Sequence, residues 1–159
     1  MVKGEKLMVT LSERKPAPLI RQLLAIVTGS LSAIFANVVY YFGLKEFAGI
    51  QFIAPQDASL DPPGIAPLPY TDVILFSAVY CFGASLVFLI IANTVRRPAL
   101  IYSVISIVIL VLSLPLPFMM PTPPVPVTTE ASLASMHVLG AAVLVPLLVV
   151  IGLPKKVKS

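Results

Sequence analysis

Residues 73–118 read VILFSAVYCFGASLVFLIIANTVRRPALIYSVISIVILVLSLPLPF, two apolar runs separated by Arg96-Arg97-Pro98. Val73 to Val95 and Ala99 to Phe118 are each long enough to cross a hydrocarbon core of about 30 Å, because a helix rises about 1.5 Å per residue. Proline suits the first turn of a helix, so Pro98 fits the start of the second run. The short basic break predicts two membrane-spanning helices in a tight antiparallel hairpin.

Two further runs of the same kind flank this hairpin, Leu19 to Leu44 and Ala131 to Leu153. The chain of 159 residues is 58% hydrophobic and 11% charged, with a mean hydropathy of +0.99. A soluble domain of this size could not bury so much apolar surface. We therefore expect an all-α membrane protein, a single domain over 1–159 folded as a four-transmembrane-helix antiparallel bundle. Its spans lie at about 19–44, 73–95, 99–118 and 131–153, with proline-rich outer loops at 45–72 and 119–130.

The positive charges predict the orientation of the bundle. Of the eleven Lys and Arg residues, only Lys45 falls on the side of the two long loops. The positive-inside rule makes the other side cytoplasmic, with both termini there, in a plasma membrane. This distribution argues against nucleic-acid binding. Basic side chains near the spans either contact anionic lipid headgroups or only fix the topology; those concerned are Arg21, Arg96, Arg97, Lys155 and Lys156.

The span ends and the loops have their own signals. Thr71 or Asp72 is expected to cap the second span, and Thr128 or Thr129 the fourth. The aromatic residues at 40–42 are expected in an aromatic belt at the outer interface. The proline density of the first outer loop favours extended chain.

Each span also carries one face of small or polar residues, which in hydrocarbon marks helix–helix contacts or a pathway. These faces predict close packing of all four helices around a common interior. Their members are Ser30, Ala33, Asn37 and Tyr41 in the first span; Ser77, Cys81, Ala84, Ser85 and Ala92 in the second; Ser103, Ser106, Leu110, Ser113 and Pro117 in the third; and Ala134, His137, Gly140, Ala141 and Leu144 in the fourth.

Five polar residues fall at a similar depth, roughly 7–12 Å below the outer surface by helical rise. They are expected to converge into a polar pocket open to the outside, in which His137 is the titrating group near neutral pH. The alternative is structural, with Asn37 and His137 bonded to each other or to backbone carbonyls. The candidate pocket residues are Asn37, Ser77, Tyr80, Ser113 and His137.

No catalytic template fits the chain. There is no glycine-rich phosphate loop, no Cys-x-x-Cys pair and no second histidine to share a metal. We expect no enzyme, no metal and no cofactor. The leading hypothesis is an accessory or scaffolding subunit that contacts a larger membrane complex, or its own copies, through the outer loops. The alternative is a small-molecule carrier or sensor that uses the pocket around Asn37 and His137.

Several features together resemble an uncharacterised family of small bacterial four-span membrane proteins with a domain of unknown function. They are Arg21 at the entry to the first span, the proline-containing outer loop, the turn Arg96-Arg97-Pro98, and the segment 136–146, MHVLGAAVLVP, with its His-x-x-Gly and later Pro146. The resemblance implies a four-helix bundle in a bacterial plasma membrane. It implies no activity.

Overall fold

The computed structural model describes residues 17–55, 65–119 and 126–154. Four long helices account for most of them, together with two short strands between the first and second helices. The α-helices are α1 (Leu19–Phe47), α2 (Tyr70–Thr94), α3 (Pro98–Ser113) and α4 (Val127–Gly152); the strands are β1 (Ile53–Pro55) and β2 (Ile65–Pro67); and a 3₁₀ helix covers Leu116–Met119.

All four predicted spans are confirmed as helices long and apolar enough to cross a membrane, the third one including the 3₁₀ helix after α3. Three α-helices begin directly after a proline, at Pro18, Pro69 and Pro126, and no side chain caps them. The predicted threonine and aspartate caps were therefore wrong. At Pro69 the backbone is extended, so the helix begins before Thr71 and Asp72 are reached.

The predicted cap of the fourth helix was wrong for the same reason. Thr128 and Thr129 both lie inside α4, which starts at Val127. The buried Thr129 hydroxyl instead donates a hydrogen bond to the Gln51 carbonyl at 2.8 Å, which joins α4 to the segment after α1.

The largest helix–helix interface joins α1 to α4. Each helix buries a row of residues spaced four apart, and small members of these rows bring the two backbones close. A Cβ on Gly29 would lie 3.1 Å from Leu144 Cδ1, and one on Gly140 would lie 3.3 Å from Asn37 Nδ2. The rows are Ala25, Gly29, Ala33, Asn37 and Tyr41 on α1, and Ser132, Met136, Gly140, Leu144, Leu148 and Gly152 on α4.

The third helix packs differently from its prediction. In the apolar stretch of this span only 6% is buried inside the protein, whereas 22–28% is buried in the corresponding stretches of the other three spans. Its buried residues are Pro98 and Tyr102, and the Tyr102 ring meets Phe88 edge to face at 5.3 Å. The predicted serine stripe is the less exposed face of this helix, since Ser103, Ser106 and Ser113 are half-buried while Val104, Ile107 and Val108 are exposed. No serine of the stripe is fully buried, so α3 lies against the edge of the bundle.

One end of the bundle, which we call the loop end, carries the described residues 48–55, 65–69, 114–119 and 126. Here β1 and β2 pair antiparallel, with Ala54 opposite Ala66, so the predicted extended conformation is confirmed for the described part of the loop. Phe52 and Leu68 are buried beside Tyr41, whose hydroxyl donates to the Leu68 carbonyl at 2.8 Å. Tyr41 therefore packs inside the protein, and its assignment to an aromatic belt was wrong.

The opposite end, which we call the basic end, carries Arg21, Arg96 and Arg97. The Arg21 side chain donates to the carbonyls of Val150 and Ile151 in the last turn of α4. Arg96 and Arg97 are exposed in the turn between α2 and α3. Lys155 and Lys156, predicted to act with them, lie outside the described residues.

Candidate functional site

A cavity of about 540 Å³ lies near the loop end, between α2, α4 and the 3₁₀ helix, with α1 contributing one residue. Volumes of about 300–1,000 Å³ are usual for small-molecule sites. Most of the lining is apolar, and the polar side chains come from three helices. The lining residues are Asn37, Leu68, Val73, Phe76, Ser77, Val79, Tyr80, Leu116, Pro117, Leu133, Met136 and His137.

Asn37 is the residue that α1 places in the cavity lining, and only 7% of its surface is exposed. Its Nδ2 donates a hydrogen bond to Ser77 Oγ at 3.0 Å, which ties α1 to α2. The Oδ1 atom is buried and has no hydrogen-bond partner among the described residues. Gly140 of α4 leaves room for this amide, because a Cβ there would press against Nδ2. The site thus contains one unsatisfied acceptor.

His137 and Tyr80 form a second polar pair in the wall. Their ring centroids are 6.4 Å apart and the rings are inclined at 72°. His137 Nδ1 lies 2.8 Å from the Leu133 carbonyl, one turn earlier in α4. Because a carbonyl only accepts, Nδ1 carries the proton in this bond, and Nε2 is then the acceptor of the neutral ring.

Four of the five candidate pocket residues therefore line one cavity, and the fifth does not. Ser113 ends α3, is half-buried, and its hydroxyl donates to the Leu110 carbonyl at 2.8 Å. Helical rise gave Ser113 the right depth, but depth does not fix the direction in which a side chain points. The structural alternative is also partly realised, since His137 bonds a backbone carbonyl while Asn37 bonds Ser77.

Among the apolar residues that line the cavity, only Pro117 had been assigned from the sequence to an inward face; the others had not been predicted. Leu116 and Pro117 line it because the chain leaves α-helical geometry after Ser113 and turns into the 3₁₀ helix. The prolines at 115 and 117 were the available signal, since proline disrupts the helix interior. Leu68 gave no signal, because an apolar residue in a proline-rich loop looks like any other loop residue.

Four helices that are long and apolar enough to cross a membrane define a multi-pass integral membrane protein. The chain belongs to the family of unknown function DUF6069, whose match covers residues 16–150. This confirms the resemblance to an uncharacterised family seen in the sequence. No curated protein and no solved structure matches the chain.

Proposed function

We propose that this protein binds a small molecule in the cavity around Asn37 and His137 and acts as a membrane-embedded carrier or sensor without catalytic chemistry. The observation that carries the proposal is that Asn37 lines the cavity and that its side-chain Oδ1 is buried without a hydrogen-bond partner among the described residues. A purely structural asparagine would have both ends of its amide satisfied, as buried polar groups generally do.

The free energy involved is substantial. An unsatisfied buried acceptor costs about 1–3 kcal/mol. Exchanging the amide oxygen and nitrogen would give Ser77 an acceptor but would leave the buried NH₂ group without its present partner. In either orientation of the amide, one buried polar group of Asn37 lacks its full set of hydrogen bonds. A bound molecule that donates a hydrogen bond to Asn37 removes it, which makes binding at this position favourable.

The test is to purify the protein in mild detergent and to identify co-purifying small molecules by mass spectrometry. Asn37→Leu keeps the size of the side chain and removes the amide, so we expect the enriched molecule to be lost. Asn93→Leu is the matched control, because it removes a hydrogen-bonded side-chain amide at the basic end, away from the cavity. Absence of any molecule enriched above bulk lipid, or equal retention by both variants, contradicts the proposal.

A second candidate function is an accessory subunit that contacts a partner with its loop end. It is supported by the way Tyr41 and Phe52 hold the strand pair onto the bundle, because a pre-ordered loop loses little entropy on docking. Phe47, at the end of α1, is 93% exposed beside it. Stoichiometric co-purification of a membrane protein, lost in Phe47→Ala and kept in the lipid-facing control Phe35→Ala, would support this function over a carrier.

For either function we propose a plasma-membrane location with both termini cytoplasmic. The charge distribution supports it, since Arg21, Arg96 and Arg97 share one end of the bundle. In a Cys81→Ser background, an impermeant thiol reagent added to intact cells should label Phe47→Cys and spare Ser159→Cys. The reverse pattern would overturn the orientation.

A further inference from the structure

We infer that the ligand enters the cavity sideways from the hydrocarbon of the membrane and is a neutral amphiphile with a hydrogen-bond-donating head. The inference rests on the proposed binding function and adds the route and the chemical class. It comes from three features of the cavity, which are its exposed apolar mouth, its covered loop end and its uncharged lining.

The mouth lies between α2 and the 3₁₀ helix. Three lining residues there are largely exposed, with 64% for Phe76, 64% for Val79 and 60% for Leu116. Toward the basic end α3 is joined to α2, because Tyr102 meets Phe88 and donates to the Ala84 carbonyl. On a membrane-spanning helix an exposed apolar surface faces lipid, so this opening connects the cavity to the bilayer.

The loop end of the cavity is covered. Leu68 lines the cavity with 6% of its surface exposed, and the Tyr41 hydroxyl and the Phe52 carbonyl hold its backbone by hydrogen bonds of 2.8 Å each. The expected opening toward the outer water is therefore blocked by the segment that follows β2. A molecule dissolved in water would have to displace this segment, whereas a molecule dissolved in lipid would not.

The lining sets the chemistry of the ligand. None of the lining side chains described is Asp, Glu, Lys or Arg. A carboxylate or ammonium head would thus lose its hydration without gaining a counter-charge, which disfavours its binding. A hydroxyl head avoids that cost and donates to Asn37 Oδ1, because the terminal torsion of asparagine is soft and lets the amide turn toward a donor. The apolar body then contacts residues such as Leu133 and Met136.

The experiment uses the full chain in lipid nanodiscs with a diazirine-bearing decanol as probe. After irradiation, mass spectrometry locates the cross-links. We expect labelling of α2 and α4 peptides that line the cavity, competed at least tenfold better by decanol than by its methyl ether or by decanoate. Asn37→Leu removes the acceptor for the head, so it should lower cavity labelling and abolish the preference for decanol over the ether in the labelling that remains.

Two tryptophan variants test the route. Val79→Trp fills the mouth from an exposed position and should lower cavity labelling at least tenfold, whereas Ile90→Trp, exposed on the same helix but outside the cavity, should leave it unchanged.

Full labelling of Val79→Trp overturns lateral entry. Equal competition by decanoate or the ether overturns the ligand class, and both results leave binding itself intact. No cavity labelling above that of lipid-facing helix surfaces overturns this inference; if no co-purifying molecule depends on Asn37 either, the binding function fails with it.

Discussion

Gln22 and Asn93 exchange two hydrogen bonds between the first and second helices. Gln22 Nε2 donates to Asn93 Oδ1 at 3.2 Å, and Asn93 Nδ2 donates back to Gln22 Oε1 at 3.0 Å. The remaining amide hydrogens are also used, since Gln22 donates to the Ala17 carbonyl and Asn93 to the Leu89 carbonyl. This closed pair fixes the register of α1 against α2 at the basic end, where Gln22 is fully buried.

The amide pair predicts a non-additive double-mutant cycle. Gln22→Leu or Asn93→Leu alone leaves its partner unsatisfied and should lower the free energy of unfolding by about 1–3 kcal/mol. The double variant should lose less than the sum of the two. Unfolding in mixed micelles with increasing SDS measures this, with Thr94→Val as control because Thr94 bonds only within its own helix in the described contacts. Strict additivity would show that the pair contributes no coupling.

A second prediction concerns the close approach of α4 to α2. In Gly152→Ala the new methyl group would lie 2.5 Å from Phe88 Cζ and 3.1 Å from Ala25 Cβ, so the buried Phe88 ring or the helices themselves must shift. We expect a loss of about 1–3 kcal/mol in unfolding free energy, partly recovered in Gly152→Ala with Phe88→Leu. Gly83→Ala is the control, since nothing lies within 4 Å of its added Cβ, and there helix propensity favours alanine by about 1 kcal/mol. Equal effects of the two alanines would refute the contact.

The cover at the loop end gives a third prediction. Tyr41→Phe removes the hydrogen bond to the Leu68 carbonyl but keeps the aromatic packing on Phe52, 4.6 Å between ring centroids. A lost neutral hydrogen bond of about 1 kcal/mol should speed amide hydrogen exchange at Leu68 roughly fivefold. Tyr70→Phe, at an exposed tyrosine nearby, should not change it. Unaltered exchange in Tyr41→Phe would mean that this bond does not hold the segment in place.

The fourth prediction follows from Arg21. Its guanidinium bonds carbonyls in the last turn of α4, which have no partner within the helix and carry the negative end of the helix dipole. Arg21→Met should therefore increase hydrogen exchange in the last turn of α4, and Arg21→Lys should restore only part of the protection, because lysine lacks the forked donors. Arg97→Met, at an exposed turn residue, is the control. Exchange in Arg21→Met no faster than in Arg97→Met would show that the guanidinium does not protect this turn, and full protection in Arg21→Lys would show that the forked donors are not needed.

Part of the site was predictable because depth along a helix follows from residue number. Asn37, Ser77, Tyr80 and His137 fall at one depth on three helices that pack together, and they meet in the cavity. Ser113 has the same depth but belongs to a helix that packs loosely, so its side chain bonds its own backbone. The Gln22–Asn93 pair was open to the same depth argument, since both amides lie near the basic end of their spans.

The amino-acid sequence by itself determined that this chain has four helices that cross a membrane, because apolar length and sparse charge decide that without reference to any neighbour. It also determined that Arg21, Arg96 and Arg97 share one end, because four successive spans alternate in direction. Only the tertiary structure decided which faces meet. Glycines at 29, 140 and 152 let α4 approach α1 and α2 closely, α3 is left at the edge, and Leu68 covers the cavity. These outcomes depend on the shapes of several helices at once, and in lipid no hydrophobic force tells one apolar face from another.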